Sequence, residues 1–219
     1  MIPSEKEKSL LLLREQVRCE VSDKRYAHIL RVEECAMKIA EKLSGILSEE
    51  DLYLMRAAAI LHDVTKDKGD DWQRRFINDN GIKIPHGDEE SPQLWHSFTA
   101  PLYVSLIYPD FSHGSVLAAV YKHSTGDKEM SVTDKIICLA DYIEDGRKYS
   151  SCIKVRNEFF DTDLENASEN EKIKHLDRCL LHSFEYIGEH LILNGEKISN
   201  KTKTAIEALI TEINSTEEA

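Results

Sequence analysis

Six residues of this chain have the types and placement to do metal chemistry together: His28, His62, Asp63, His96, His123 and Asp141. The adjacent pair His62-Asp63 closes the Ala-rich, Leu-rich run AAAILHDVTK, residues 57–66. Consecutive residues on a regular helix diverge by roughly 100°, so the pair does not chelate one ion as an i,i+4 pair would. At a helix end both side chains can face one cavity, and the two carboxylate oxygens let Asp63 bridge two ions while His62 binds one. Helix-end capping is the plainer account of the pair. It suits His62 but not Asp63, because the helix dipole disfavours a negative charge at a C-terminus, a conflict that a bound cation removes.

Asp141 sits in IICLADYIE beside Ile137, Leu139, Ala140 and Ile143. An ionised carboxylate among core residues is costly unless it is paired or metal-bound, so a salt bridge or an exposed helix face is the alternative. His28, beside Ile29, Leu30 and Val32, reads on its own as a partly buried structural histidine. His96 follows a Pro-containing loop and His123 precedes Ser-Thr-Gly; each alone reads as structural or solvated. His86 and His113 compete with them. At a helical rise His113 stands about 15 Å from His123, too far to share an ion. His175, His182 and His190 read as surface or packing residues. Taken together, four histidines and two aspartates form nitrogen–oxygen sites without sulfur, which suit iron, manganese or zinc. A pair of such ions generates hydroxide at neutral pH and stabilises charge on a phosphoryl group, which is the chemistry of a phosphohydrolase.

The elements that must position these residues are helices, since a 3.6-residue periodicity dominates and alternation is scarce. The pattern predicts helices near 5–20, with Leu10, Leu13 and Val17 on one stripe, and 24–43, ended by Gly45. Ser48-Glu-Glu-Asp51 resembles a capping box and opens a third helix that carries Leu52, Met55, Ala58, Ala59 and Leu61 inward to the His-Asp pair. Further helices are expected near 70–80, 94–108, 114–122 (capped by Ser112), 132–145 (opened by Ser131 and closed by Gly146), 151–160, 170–193 and 200–214. Pro85, Gly87 and Pro92 mark 81–95 as a loop. The expectation is all-α, one domain over 1–219 of about nine or ten helices, with the chemistry in 22–150, further helices over 151–215 and an acidic tail.

The chain has 219 residues, 41% hydrophobic and 31% charged, with a net charge of −12 and a pI near 5.2. That balance lacks the electrostatic footprint of a general nucleic-acid binder. An anionic substrate would need local cations, and Lys66, Arg147 and Lys148 are candidates. Five scattered cysteines with no CxxC pair imply free thiols in a reducing cytoplasm. The run of four leucines near the N-terminus is too short for a signal peptide or a membrane span, so a cytoplasmic protein with no membrane partner is expected.

The order H…HD…H…H…D on an all-α background resembles the HD-domain metal-dependent phosphohydrolases. The phrases KRYAHILRVEECA, AAAILHDVTK, YKHSTGDKEMS and DKIICLADYIEDGR, with LDR…EYI…L further on, are similar to the bacterial YqeK-type symmetrical diadenosine tetraphosphate hydrolases over about 22–212. The resemblance implies an HD helical bundle that hydrolyses diadenosine tetraphosphate to two ADP with two metal ions, iron first and manganese or zinc next. It implies one ion on His28, His62, Asp63 and Asp141, and a second on Asp63, His96 and His123. Lys66, in the HDxxK position, and Arg147, after Gly146, would contact phosphate, with Asp63 the nearest candidate for a base. Two departures carry expectations of their own. Ser97 stands where the family usually has Gly and is expected to crowd the second ion's side. Asp145 stands where it usually has Pro and is expected to weaken the hold of Arg147 on phosphate. An HD phosphohydrolase for another nucleotide or phosphoester, a non-catalytic metal-bearing sensor and a homodimeric assembly are left open by the residues.

Overall fold

The computed structural model describes residues 4–215. Among these residues there are ten α-helices and no strand: α1 Glu5–Arg18, α2 Asp23–Lys42, α3 Glu49–Leu61, α4 Asp70–Asp79, α5 Pro92–Ile107, α6 Gly114–Lys122, α7 Val132–Ile143, α8 Ser150–Asp161, α9 Glu169–Leu193 and α10 Asn200–Ser215. Most of the expected acidic tail lies outside the described residues.

Local sequence explains most of the helix starts. Ser48 and Ser131 each accept from the backbone N–H three residues on, and Asp51 and Asp134 reach back to the N-cap N–H, so α3 and α7 both open with a reciprocal capping box. Ser112 does not cap α6. His113 does, its Nδ1 accepting from Ser115 N at 3.3 Å, while the Ser112 hydroxyl turns to Ser105. The end of α7 also differs from expectation. The helix stops at Ile143, and Glu144 adopts an extended backbone, φ −56° and ψ 154°, two residues before Gly146. That early exit swings the Glu144 carboxylate under α2.

The apolar stripes meet in one continuous core running from Leu10 of α1 to Leu209 of α10, with Leu13, Ile29, Met55, Ile137 and Phe159 fully buried. α2 packs on α3 and α7, and α3 on α6, so the middle of the molecule is a cluster of four helices. α9 packs on α7, and α10 on α9. No helix among the described residues is long and apolar enough to cross a membrane.

Candidate metal centre

The C-terminal ends of α3, α6 and α7 converge on one point. His62 and His123 are the C-cap residues of α3 and α6, and Asp141 lies in the last turn of α7. Each helix end carries about half a negative charge, so the convergence favours a cation before any side chain is counted. The two capping histidines are built alike. The Nδ1–H of His62 donates to Ala59 O at 2.7 Å, and that of His123 to Val120 O at 2.7 Å. These carbonyls are among the last of their helices, which have no helical partner. Because a carbonyl only accepts, each bond puts a proton on Nδ1 and turns Nε2 toward the cavity.

His28 reaches the same arrangement differently. Its Nδ1–H donates to the buried carboxylate of Glu144 at 3.2 Å, which again turns Nε2 inward. The Nε2 atoms of His28 and His62 are buried and have no hydrogen-bond partner. A buried polar atom without a partner is costly, and a pair of them facing carboxylates is what a metal ion would satisfy.

Asp63 occupies the centre. Its Oδ2 lies 3.6 Å from His28 Nε2 and 3.5 Å from His62 Nε2. Its Oδ1 lies 3.2 Å from His96 Nε2 and 3.6 Å from His123 Nε2. One carboxylate oxygen therefore faces each pair of imidazoles. Burial alone would push the Asp63 carboxyl up, but His62, His123 and His96 outweigh it and hold it well below the usual carboxylate range. Asp141, 3.0 Å from His28 Nε2, is likewise pushed up by burial but kept well below that range by His28 and the Arg147 guanidinium. Two groups of side chains stand close enough to hold an ion: His28, His62 and Asp141, and His62, Asp63 and His123.

His96 is less regular. It lies in the first turns of α5, 2% exposed, with Nε2 3.0 Å from His123 Nε2. Burial and the neighbouring Lys66 ammonium push its imidazole down to about 3, so the ring is neutral at pH 7. Lys66 Nζ sits 3.0 Å from His96 Nδ1 and 3.0 Å from Gln93 O. Arg147 binds Asp141 twice, through Nε to its backbone carbonyl at 2.9 Å and through the guanidinium to Oδ1 at 2.6 Å. All eight residues singled out from the sequence, counted with Lys66 and Arg147, thus gather at one place.

The competing histidines do not. His86 is almost fully exposed against Glu89, and His113 caps α6 at its far end. His175, His182 and His190 bond to Phe159 O, Glu158 and Asn194 within the C-terminal helices. The two departures also behave differently from expectation. Ser97 is fully buried but bonds back to Leu94 O at 2.8 Å, on its own helix and away from the imidazoles. Asp145 points outward to Lys38 and Arg156, while Arg147 keeps Asp141 and Glu144 as its partners.

Sequence reasoning missed Arg25, Glu144 and Ser124. Arg25 pairs with Asp63 and with Asp67. Glu144 is held ionised against the upward push of burial by Arg31, Gly146 N–H and His28. Ser124 Oγ lies 2.9 Å from His123 Nε2. A signal existed for the first two: each stands three residues from a ligand-type residue, His28 or Asp141, which is one turn away on the same face. Converting Glu144 to Gln should weaken metal binding by roughly 10–100-fold, since the histidine it orients loses its anionic partner. Titration of the apoprotein with metal checks this; an unchanged affinity would show that Glu144 merely pairs with Arg31.

The HD domain family model matches residues 25–146, a span that contains all six ligand-type residues. The chain belongs to the HD domain family. The chain is 33% identical over 147 aligned residues to a Staphylococcus aureus protein named bis(5'-nucleosyl)-tetraphosphatase, symmetrical, covering 63% of this chain and 68% of that one. Proteins of the same name from Halalkalibacterium halodurans and Bacillus subtilis are 34% and 29% identical, each over 69% of this chain and 76% and 77% of theirs. The HD fold also matches a Clostridium acetobutylicum crystal structure, described as a predicted HD superfamily hydrolase involved in NAD metabolism. Its TM-score is 0.75 at 24% identity, over 91% of this chain and 95% of that one.

Proposed function

We propose that this HD domain is a cytoplasmic hydrolase that cleaves diadenosine tetraphosphate symmetrically to two ADP at a two-metal site. The observation that carries the reading is the placement of Asp63, with one oxygen toward His28 and His62 and the other toward His96 and His123. In this assignment His28, His62, Asp63 and Asp141 would hold one ion, and Asp63, His96 and His123 would hold the other. Imidazoles and carboxylates without sulfur suit iron, manganese or zinc, and the resemblance to the YqeK-type hydrolases makes iron the first choice. Bound metal supplies Lewis-acid charge for the phosphoryl oxygens and makes water acidic enough to react at neutral pH.

The chain's own side chains do the rest. The three Nδ1–H bonds of His28, His62 and His123 lock the imidazoles before anything binds, so no reorganisation is needed later. Lys66 and Arg147 take phosphate oxygens, setting local positive charge against the global charge of −12. Asp63 is the nearest group to accept a proton. Water's oxygen bonds to one inner phosphorus as that same phosphorus loses its bond to the central bridging oxygen, which leaves with the other half; the water's proton goes to Asp63, and both halves depart as ADP. The names of the relatives support this substrate, and the continuous core from Leu10 to Leu209 supports a single domain.

Chromatography of the products from diadenosine tetraphosphate, with iron-loaded protein under reducing conditions, tests the reading. ADP as the sole product is expected. ATP with AMP, or no turnover with iron, manganese or zinc, would refute it.

A further inference from the structure

Two cavities reach the metal centre, one lined by His28 and the other by Lys66, His123 and Asp141, and they share only Arg147 and Tyr149. The first, about 660 Å³, is entered past His28 and is lined by Lys24, Arg25, Arg31, Arg147 and Lys148 against the two carboxylates of Asp67 and Glu144. In a chain of net charge −12 that concentration of cations is a local reversal of the field. Arg25, Arg31 and Arg147 are engaged with Asp63, Glu144 and Asp141, but Lys24 and Lys148 are exposed and form no ion pair with any described residue. The second cavity, about 350 Å³, is entered past His123, Asp141 and Lys66. It runs under α9, with Tyr142, Phe184, Ile187 and Leu191 as an apolar wall and Lys197 at its edge. Both volumes fall in the range of about 300–1,000 Å³ typical of small-molecule sites.

We infer that the two cavities are the two half-sites for one dinucleotide, each taking one nucleoside diphosphate unit, with Lys24 and Lys148 as specificity residues for the half on the His28 side. This inference rests on the proposed function and adds to it a physical reason for cleavage at the midpoint. A chain of four phosphates that passes Asp63 with a nucleoside diphosphate in each cavity presents its central bridge to the reacting centre. The α9 wall suits a base and ribose, since it offers apolar area together with the hydroxyls of Ser124, Ser183 and Thr202. The His28 side suits phosphate first, because the Lys24 and Lys148 ammonium groups, neither of them in an ion pair and Lys148 held only by the Asp145 carbonyl at 2.6 Å, act as point charges. Tyr149, exposed and common to both cavities, is placed to cover the chain between them.

The test is the stoichiometry of ADP binding to the full chain loaded with manganese, by equilibrium dialysis, beside the product assay. The wild type should bind about two ADP per chain, one per cavity. Lys24→Ala with Lys148→Ala, both on exposed residues, should weaken one ADP by roughly tenfold or more and flatten its salt dependence. Leu191→Trp should remove the other, and Lys197→Ala should weaken that same ADP if the tryptophan disturbs folding. One ADP per chain in the wild type, or two that neither set of variants affects, overturns the inference. The two readings fail separately. Hydrolysis to ADP with a single bound ADP leaves the function standing and removes the half-sites. Two ADP bound with no hydrolysis does the reverse.

Discussion

Asp63→Ala is expected to abolish hydrolysis, by about 10⁴-fold or more, because groups that act as one unit fail together. The same change should release metal from both sides of the centre. The reason is geometric: Asp63 is the one side chain within 3.6 Å of the Nε2 atoms of His28, His62, His96 and His123 alike. No other described carboxylate reaches both imidazole pairs; Asp141 contacts only the His28 side. The variant should fold. Arg25 keeps Asp67 as a partner when Asp63 is lost, so no guanidinium is stranded. Removing an ionised carboxylate from a site 3% exposed also relieves a desolvation cost. Metal content by elemental analysis and turnover by product chromatography are the readouts, with far-ultraviolet dichroism to confirm helicity. Retained activity would disprove the assigned centre, and lost activity with full metal content would make Asp63 a base rather than a bridge.

Arg147→Ala should lower kcat by roughly 10²–10³-fold while leaving metal content intact, the effect of deleting one preorganised donor to a developing charge. In the structure its guanidinium is occupied by Asp141, whose charge raises its own already high pKa further, so the side chain is cationic throughout the working range. It lines both cavities, the one basic group that does. Asp141 still keeps its contact with His28 when Arg147 is truncated, so the ligand stays ionised and in place. Arg147→Lys should recover part of the loss, because it restores the charge but not the planar fork that reads two phosphate oxygens. If metal content instead falls in step with activity in both variants, Arg147 positions Asp141 and does not contact phosphate.

Much of this was legible along the chain because its physics is local. The capping boxes at Ser48 and Ser131, the stripe of Leu10, Leu13 and Val17, and the unfavourable placement of Asp63 and Asp141 all follow from neighbours within one or two turns. The error at the α6 start was local too: His113 and Ser112 both had cap chemistry, and contact with Ser105 drew Ser112 away. The directions of Ser97 and Asp145 were not legible for a different reason. Position along the chain says that a side chain is present, not where it points, and these two turn to Leu94 and to Lys38 and Arg156.

By itself, then, helix periodicity determined an all-α chain and the cost of burying charge marked Asp63 and Asp141, because both act over a few residues, while the full set of six ligand-type residues and the two cations came from the resemblance to a known family. The tertiary structure decided which imidazole faces which oxygen of Asp63. It also recruited Arg25 and Glu144 and opened two cavities onto the centre. Those outcomes depend on how α2, α3, α5, α6 and α7 pack, bringing together residues from position 25 to position 147, and no local rule encodes the angle at which packed helices meet.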